Sequence, residues 1–113
     1  MKIKIATDFS TAPGPRYIRE GKFSGEEFRT KHLLPKLKEA IATNCCLEVD
    51  LDGTAGFGTS FLEETFGGLI REDKISFETV NSTVKIISFE EPALLDEIRE
   101  YLQEAHKEKG TNK

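Results

Sequence analysis

The 113-residue sequence has no tryptophan, one methionine, two cysteines and no long apolar run. The cysteines, Cys45 and Cys46, are neighbours, so a disulfide between them would be badly strained. No histidine lies near enough in the sequence to complete a zinc site with them. We therefore expect reduced thiols at the start of a strand. Without an apolar run, neither a secretory signal nor a membrane span is expected, and the sequence predicts a cytoplasmic protein.

A basic cluster is also lacking. The 20 acidic residues outnumber the 16 basic ones, giving a net charge of −4, and lysines alternate with acids, as at 107–109. Phosphate backbones are bound by grouped positive charge, so no nucleic-acid partner is expected. The length allows one domain with one core. We place this domain at 1–107, with a frayed polar tail at 108–113.

Alternating and helical patterns of apolar residues divide the chain into strands and helices. Isoleucines alternate with lysines over 2–5, which predicts a first strand. Prolines and glycines make 9–22 an irregular arm. Ser24 opens a helix through a Ser-x-x-Glu capping box. Pro35 lies inside that helical pattern and predicts a kink or the start of a second segment, because proline has no N–H to donate.

The strongest strand pattern is Leu47, Val49 and Leu51, which leads into a glycine-rich loop at 53–58. The next predicted element is a helix over 60–71, with Phe61, Leu62, Thr65, Phe66 and Leu69 as its inner face. It is followed by a short helix capped by Ser76 or an edge strand over 74–81, a strand over 84–89, and a last helix after Pro92. This order predicts one α/β domain with about four mainly parallel or mixed strands and three or four helices packed on the sheet. Sites in such sheets gather at the carboxyl ends of the strands, here 52–60.

The loop itself admits a phosphatase interpretation. The run 50–54, Asp-Leu-Asp-Gly-Thr, resembles the first motif of the haloacid-dehalogenase-like phosphatases. That resemblance implies Asp50 as nucleophile, Asp52 as acid and base, and magnesium as charge shield. The rest of the chain is too short to supply the further strand whose acids would hold the metal. The small magnesium-dependent phosphatase is kept as the alternative function.

A phosphate cradle is a second interpretation of the glycines. Gly53, Gly56 and Gly58 lead into a helix N-terminus, where backbone N–H groups attract anions. No lysine stands where a P-loop needs one, and the spacing is not that of a dinucleotide fingerprint. The sequence therefore predicts no cofactor and no metal.

A third interpretation comes from a family resemblance. The strand 49–51, a short loop, paired hydroxyl residues and an apolar helix resemble the STAS domain of anti-sigma-factor antagonists and sulfate transporters. In that family a loop serine or threonine is phosphorylated by a partner kinase. The alignment gives Thr59 the phosphoacceptor position and Ser60 the second hydroxyl. Gly58 replaces the family's aspartate, and Phe61 replaces its glycine.

The whole chain more closely resembles a bacterial STAS-like family of unknown function, from Ile3 to about Ala105. The stretches that carry this resemblance are 23–29, 34–35, 49–58, 60–64 and 66–69. It implies a non-enzymatic, protein-binding regulatory module, with a histidine-kinase-like ATPase as the candidate partner. The candidate contact residues are Gly56, Phe57, Gly58, Phe61, Arg16 and Tyr17.

Two questions stay open at this level. Ser60 and Glu63 form another Ser-x-x-Glu pattern, so Ser60 is either a helix cap or, with Thr59, a candidate phosphoacceptor. The same loop surface could also build a homodimer instead of binding another protein.

Overall fold

The computed structural model describes residues 1–111, with side chains as far as Glu108. Its sheet has three parallel strands in the order β1-β2-β3. The strands are β1 (Lys2–Lys4), β2 (Leu47–Asp50) and β3 (Val84–Ile87). Lys2 lies opposite Glu48, and Val49 opposite Ile86. The predicted α/β class is confirmed, although the strands number three instead of about four.

Five helices surround the sheet in the described part of the chain. They are α1 (Ile5–Asp8), α2 over 25–42, α3 over 59–71, α4 (Phe77–Thr83) and α5 (Ala93–Thr111). The arm at 9–22 is irregular, as predicted, apart from the short 3₁₀ turn Ile18–Glu20. The described part of the predicted frayed tail is helical, because α5 continues to Thr111; residues 112 and 113 lie outside the described residues.

Serine caps decide where two helices begin. Ser24 Oγ accepts the N–H of Glu27 at 3.0 Å and caps α2, as the capping-box pattern predicts. Ser76 Oγ accepts the N–H of Thr79 at 3.1 Å and caps α4. The segment left open between helix and edge strand is therefore a helix. Its assignment as α4 removes the only candidate for a fourth strand.

Pro35 does not end α2. The π turn Arg29–Leu33 ends two residues before it, and the N–H of Leu34 donates to the Arg29 carbonyl, five residues back. Proline lacks an N–H, and its ring clashes with the carbonyl four residues earlier in a regular helix. The wider turn accommodates the ring, so the chain stays helical through 42.

The core lies between the sheet and the helices around it. Its strand residues include Ile3, Leu47 and Val49. The predicted inner face of α3 is confirmed, since each of its members is buried: Phe61, Leu62, Thr65, Phe66 and Leu69. No helix in the described residues is both long enough and apolar enough to pass through a bilayer.

Candidate functional site

The loop after β2 is tied to the loop after β3 at the carboxyl edge of the sheet. Both carboxylate oxygens of Asp52 accept backbone N–H groups, from Phe89 at 3.1 Å and from Glu90 at 3.0 Å. The Glu90 carboxylate in turn accepts the N–H of Gly53 at 2.7 Å. Because charged acceptors make the stronger hydrogen bonds, these contacts hold the first half of the glycine-rich loop in place.

Asp50 is also committed to local contacts. Its Oδ1 accepts the N–H of Asp52 at 2.9 Å. Its Oδ2 lies 3.8 Å from Lys2 Nζ and 3.7 Å from Lys4 Nζ. No group of acidic, histidine or cysteine side chains in the described residues could hold a metal ion. The two aspartates therefore hold the loop together, and their arrangement does not favour the phosphatase interpretation.

The second half of the loop, residues 55–58, exposes glycine backbone that no side chain covers. A Cβ placed on Gly56 or on Gly58 would have no atom within 4 Å. The backbone at Gly56 has φ +131°, a conformation that L side chains rarely adopt. The N–H of Ala55 donates to the Thr11 carbonyl at 2.7 Å, which fastens this part of the loop to the arm. Exposed glycine backbone lets another molecule approach the main chain closely.

The hydroxyls of Thr59 and Ser60 lie in the first turn of α3, and both residues are exposed. The structure contradicts capping, one of the two roles that the sequence left open for Ser60. Helix α3 begins at Thr59, so Gly58 is the N-cap residue, with φ −75° and ψ 151° and no side-chain cap. Ser60 is the second residue of the helix and therefore does not occupy the flanking, extended position that a cap needs.

Serine-to-alanine substitutions should therefore differ between the two helices. Ser24→Ala should cost about 1 kcal/mol of unfolding free energy, because it removes a working cap. Ser60→Ala, at an exposed position, should stay within about 0.5 kcal/mol of wild type. Urea unfolding of both variants measures the difference. A loss of about 1 kcal/mol for Ser60→Ala would show that it caps the helix in solution.

The two predicted aromatic contacts of the loop, Phe57 and Phe61, differ in how far they are buried. Phe61 is 0% exposed and belongs to the core, so its side chain is not available for the partner contact that the sequence predicts. Its position in the first turn of α3 points it inward, toward Phe28. Phe57 is half-buried, with its ring centroid 5.7 Å from that of Phe61. Of this pair, Phe57 alone remains available at the surface.

Arg16 and Tyr17, the predicted contacts in the arm, are already engaged within the domain. The Arg16 guanidinium pairs with Glu63 and lies 3.6 Å from Glu64. The Arg19 guanidinium lies over the Tyr17 ring, 4.7 Å from its centroid. Arg16 therefore fastens the arm to α3 and is not a free anchor for a partner.

A buried ion-pair cluster was not predicted from the sequence. Arg29 pairs with Glu64, and each side chain is 5% exposed. Arg29 Nε lies 3.0 Å from Asp73 Oδ2, without the alignment of a hydrogen bond. Arg71 donates to Glu63 at 2.6 and 3.1 Å. One signal could have revealed the cluster, since Arg29 stands four residues after the buried Gly25 and four before Leu33, on the inward face of α2.

Opposing influences act on the acids of this cluster. Burial works against ionisation of Glu63, but hydrogen bonds and charges from Arg71 and Arg16 outweigh it and hold the pKa of Glu63 below its usual value. Burial raises the pKa of Asp73 even though Arg29 lies beside it. The cluster therefore stabilises the Glu63 carboxylate more effectively than that of Asp73.

The cluster also joins the sequence stretches that carried the family resemblance. Arg29 comes from 23–29, Glu64 from 60–64, and Gly68 from 66–69. A Cβ on Gly68 would collide with the Arg29 guanidinium, so a glycine there leaves room for the buried charge. These stretches therefore build one structural unit, in which α2 crosses α3.

A comparison with known protein families matches residues 24–94 to the model of the STAS-like domain of unknown function. The chain belongs to that family. The STAS-like fold suggests a regulatory module whose specific function is unknown. No curated protein and no solved structure gives a significant match.

The matched span begins at the cap of α2 and ends in the first turn of α5. It holds the whole glycine-rich loop of the STAS-like domain and the ion-pair cluster of Arg29, Glu63, Glu64, Arg71 and Asp73. Arg16, which pairs with Glu63 from the arm, lies before it. Strand β1 and the arm lie outside it. The matched span therefore includes the α2–α3 crossing and the loop that leads into α3, together with β2, α4 and β3.

Proposed function

We propose that this STAS-like domain is a non-enzymatic regulatory module that binds a protein partner through the glycine-rich loop and the start of α3. One observation carries the proposal. The loop at 55–58 presents bare glycine backbone, followed by two exposed hydroxyls, on a base fixed by Asp52 and Glu90. A loop that is already ordered loses little entropy on binding, which favours recognition by a partner.

The partner is expected to cover this surface closely. Gly56 and Gly58 leave space above the main chain, and Phe57 adds an apolar contact at its edge. Backbone groups without side chains admit a complementary surface to hydrogen-bond distance. The family resemblance makes a histidine-kinase-like ATPase the candidate partner.

Phosphorylation of Thr59 or Ser60 would provide the switch. A phosphoryl group adds close to two negative charges and three acceptor oxygens. At the first turn of α3 the helix dipole favours that charge, so the fold would survive the modification. A partner surface that meets neutral glycine backbone would have to bury the charge, and it would dissociate.

Thr59→Glu tests the switch. We expect a melting temperature within a few degrees of wild type and partner binding weakened by an order of magnitude or more, because the carboxylate brings negative charge into a neutral contact. The partner is first isolated with the wild-type domain, and binding is then measured by calorimetric titration.

Thr30→Glu is the matched control, since Thr30 is also an exposed helical threonine, but on α2. It should bind the partner as wild type does. If Thr59→Glu also binds with wild-type affinity, the loop is not the switch and the partner docks elsewhere. Mass spectrometry of the domain after incubation with the isolated partner and ATP shows whether a phosphoryl group reaches either hydroxyl.

A further inference from the structure

A cavity of about 420 Å³ lies between strand β1 and helix α2. Small-molecule sites in proteins have volumes of about 300–1,000 Å³, so the cavity is large enough for a small ligand. None of the described residues that line it belongs to the glycine-rich loop at 53–58. The cavity is therefore separate from the proposed protein-binding surface. The lining residues that bear on its chemistry are Lys2, Ile3, Lys31, His32, Pro35 and Lys36.

The cavity brings together positive charges that the sequence keeps apart. Lys2 comes from β1, whereas Lys31 and Lys36 come from α2. Lys2 Nζ lies 3.8 Å from Asp50 Oδ2, and its side chain remains 56% exposed. No acidic residue occurs over 28–38, although the whole chain carries a net charge of −4. The packing of α2 beside β1 thus creates a local basic surface on an acidic protein.

The two acids that line the cavity leave two of its lysines unpaired. Asp8 Oδ2 accepts the backbone N–H of Lys4 at 2.8 Å. Glu39 lies one turn beyond Lys36, toward the end of α2. In the described part of the chain, neither Lys31 nor Lys36 has a carboxylate within ion-pair distance. Their ammonium groups are therefore available to an anion.

The remaining wall of the cavity is apolar and partly fixed. Ile3 is 3% exposed and belongs to the core, and the Pro35 ring lies beside it in the lining. The His32 ring packs against Phe9 and Phe28, with centroid distances of 5.3 and 6.0 Å. These contacts hold the imidazole at the cavity wall. A ligand with both a charged end and an apolar end would match this surface.

We propose that the cavity binds a small organic phosphate monoester. Lys31 and Lys36 would hold the phosphoryl group, and the organic group would lie against Ile3 and Pro35. A phosphoryl group carries close to two negative charges and presents three acceptor oxygens, so it can accept from both ammonium groups at once. A nucleic-acid strand is a poorer match, because it needs a basic groove that follows its backbone over several nucleotides.

A backbone NMR titration with phenyl phosphate tests the location of the site. At low ionic strength, where charges are least screened, we expect the largest shift changes at the amides of Ile3, Lys31 and Lys36. Phenyl phosphate should bind at least about threefold more tightly than inorganic phosphate, because its ring buries apolar surface. Changes centred on Gly56 and Gly58 would place the anion at the start of α3 and overturn the proposal. The absence of binding at millimolar phenyl phosphate would also overturn it.

Lysine variants test the proposed contacts. Lys31→Gln and Lys36→Gln should each raise the dissociation constant of phenyl phosphate at least about fourfold, because each removes a cation from a partly solvated ion pair. Both positions are exposed, so the melting temperatures should not change. Lys38→Gln is the matched control. Lys38 is an exposed lysine of the same helix, but it acts on Asp73 and does not line the cavity.

The Lys38→Gln variant should bind phenyl phosphate within about twofold of wild type. Equal affinities for all three variants would mean diffuse attraction of anions and would overturn the proposal. A single-stranded oligonucleotide should bind no more tightly than phenyl phosphate. If it binds at least about tenfold more tightly and depends on Lys31 and Lys36, the surface serves a nucleic acid and the small-molecule proposal is wrong. No partner protein is present in these measurements, so their outcome is independent of the proposed function.

Discussion

Replacing Arg29 with methionine is expected to lower the free energy of unfolding by about 3–5 kcal/mol, the largest effect that we predict for a single substitution. Arg29 and Glu64 are each 5% exposed, and Asp73 lies 3.0 Å from Arg29 Nε. Without the guanidinium, Asp73 loses the cation beside it, and Glu64 keeps only the more distant guanidinium groups of Arg16 and Arg71, at 3.6 and 3.5 Å. Methionine keeps much of the side-chain volume, so the loss reports on charge more than on packing. Urea unfolding at neutral pH measures it.

An exposed ion pair supplies the control. Arg99 lies 3.8 Å from Asp96, and their side chains are 65% and 81% exposed. Arg99→Met should change stability by less than about 1 kcal/mol, because water screens such pairs. The double variant Arg29→Met, Glu64→Met should regain part of the loss, since it also removes the buried carboxylate whose nearest cation was lost. If Arg29→Met costs no more than Arg99→Met, the buried cluster does not hold α2 to α3.

Gly25→Ala is expected to destabilise the domain by about 1–3 kcal/mol. A Cβ at Gly25 would lie 2.6 Å from the Phe61 carbonyl oxygen and 3.1 Å from Thr65 Oγ1. The carbonyl belongs to the backbone of α3 and cannot rotate away, so the two helices would have to separate. Alanine's better helix propensity offsets less than about 1 kcal/mol of this cost. Thermal and urea unfolding should both show the loss.

Gly58→Ala is the matched control for this change. Gly58 has φ −75°, an ordinary conformation for alanine, and no atom lies within 4 Å of the added Cβ. Its stability should stay within about 1 kcal/mol of wild type, since glycine and alanine differ modestly at this position. Equal losses for the two variants would show that the α2–α3 contact tolerates a methyl group. Gly58→Ala also adds a side chain to the proposed binding surface, so its partner affinity should fall although its fold is intact.

These substitutions distinguish two parts of the span that matches the family, the α2–α3 crossing and the glycine-rich loop. Gly25, Arg29, Glu64 and Gly68 serve the crossing of α2 over α3, and their roles are structural. The loop at 55–58 makes no comparable packing contact at its glycines. A stable crossing fixes the start of α3, and with it the direction in which the loop and its hydroxyls face the solvent. Substitutions at the crossing should therefore lower the free energy of unfolding, whereas substitutions in the loop should lower partner affinity and leave stability nearly unchanged.

Periodicity in the sequence was sufficient for most of the fold. The alternation around Val49 and the helical stripe from Phe61 to Leu69 predicted buried strand and helix faces, because side-chain direction follows local geometry. Ser24 was predicted correctly as a cap for the same local reason. For Ser60 the same pattern left capping and phosphorylation open. The structure contradicts capping, because α3 begins one residue before Ser60 and Gly58 is the N-cap residue.

What the sequence determined by itself is therefore the α/β class, the order of most elements and the position of the glycine-rich loop, since each depends on neighbours within a few residues. The tertiary structure decided which polar groups meet. Asp50 and Asp52 have phosphatase spacing, yet their oxygens bind Lys2, Lys4 and the loop after β3. Arg16 finds Glu63, 47 residues away. Such contacts arise when distant segments pack, and no local pattern specifies them.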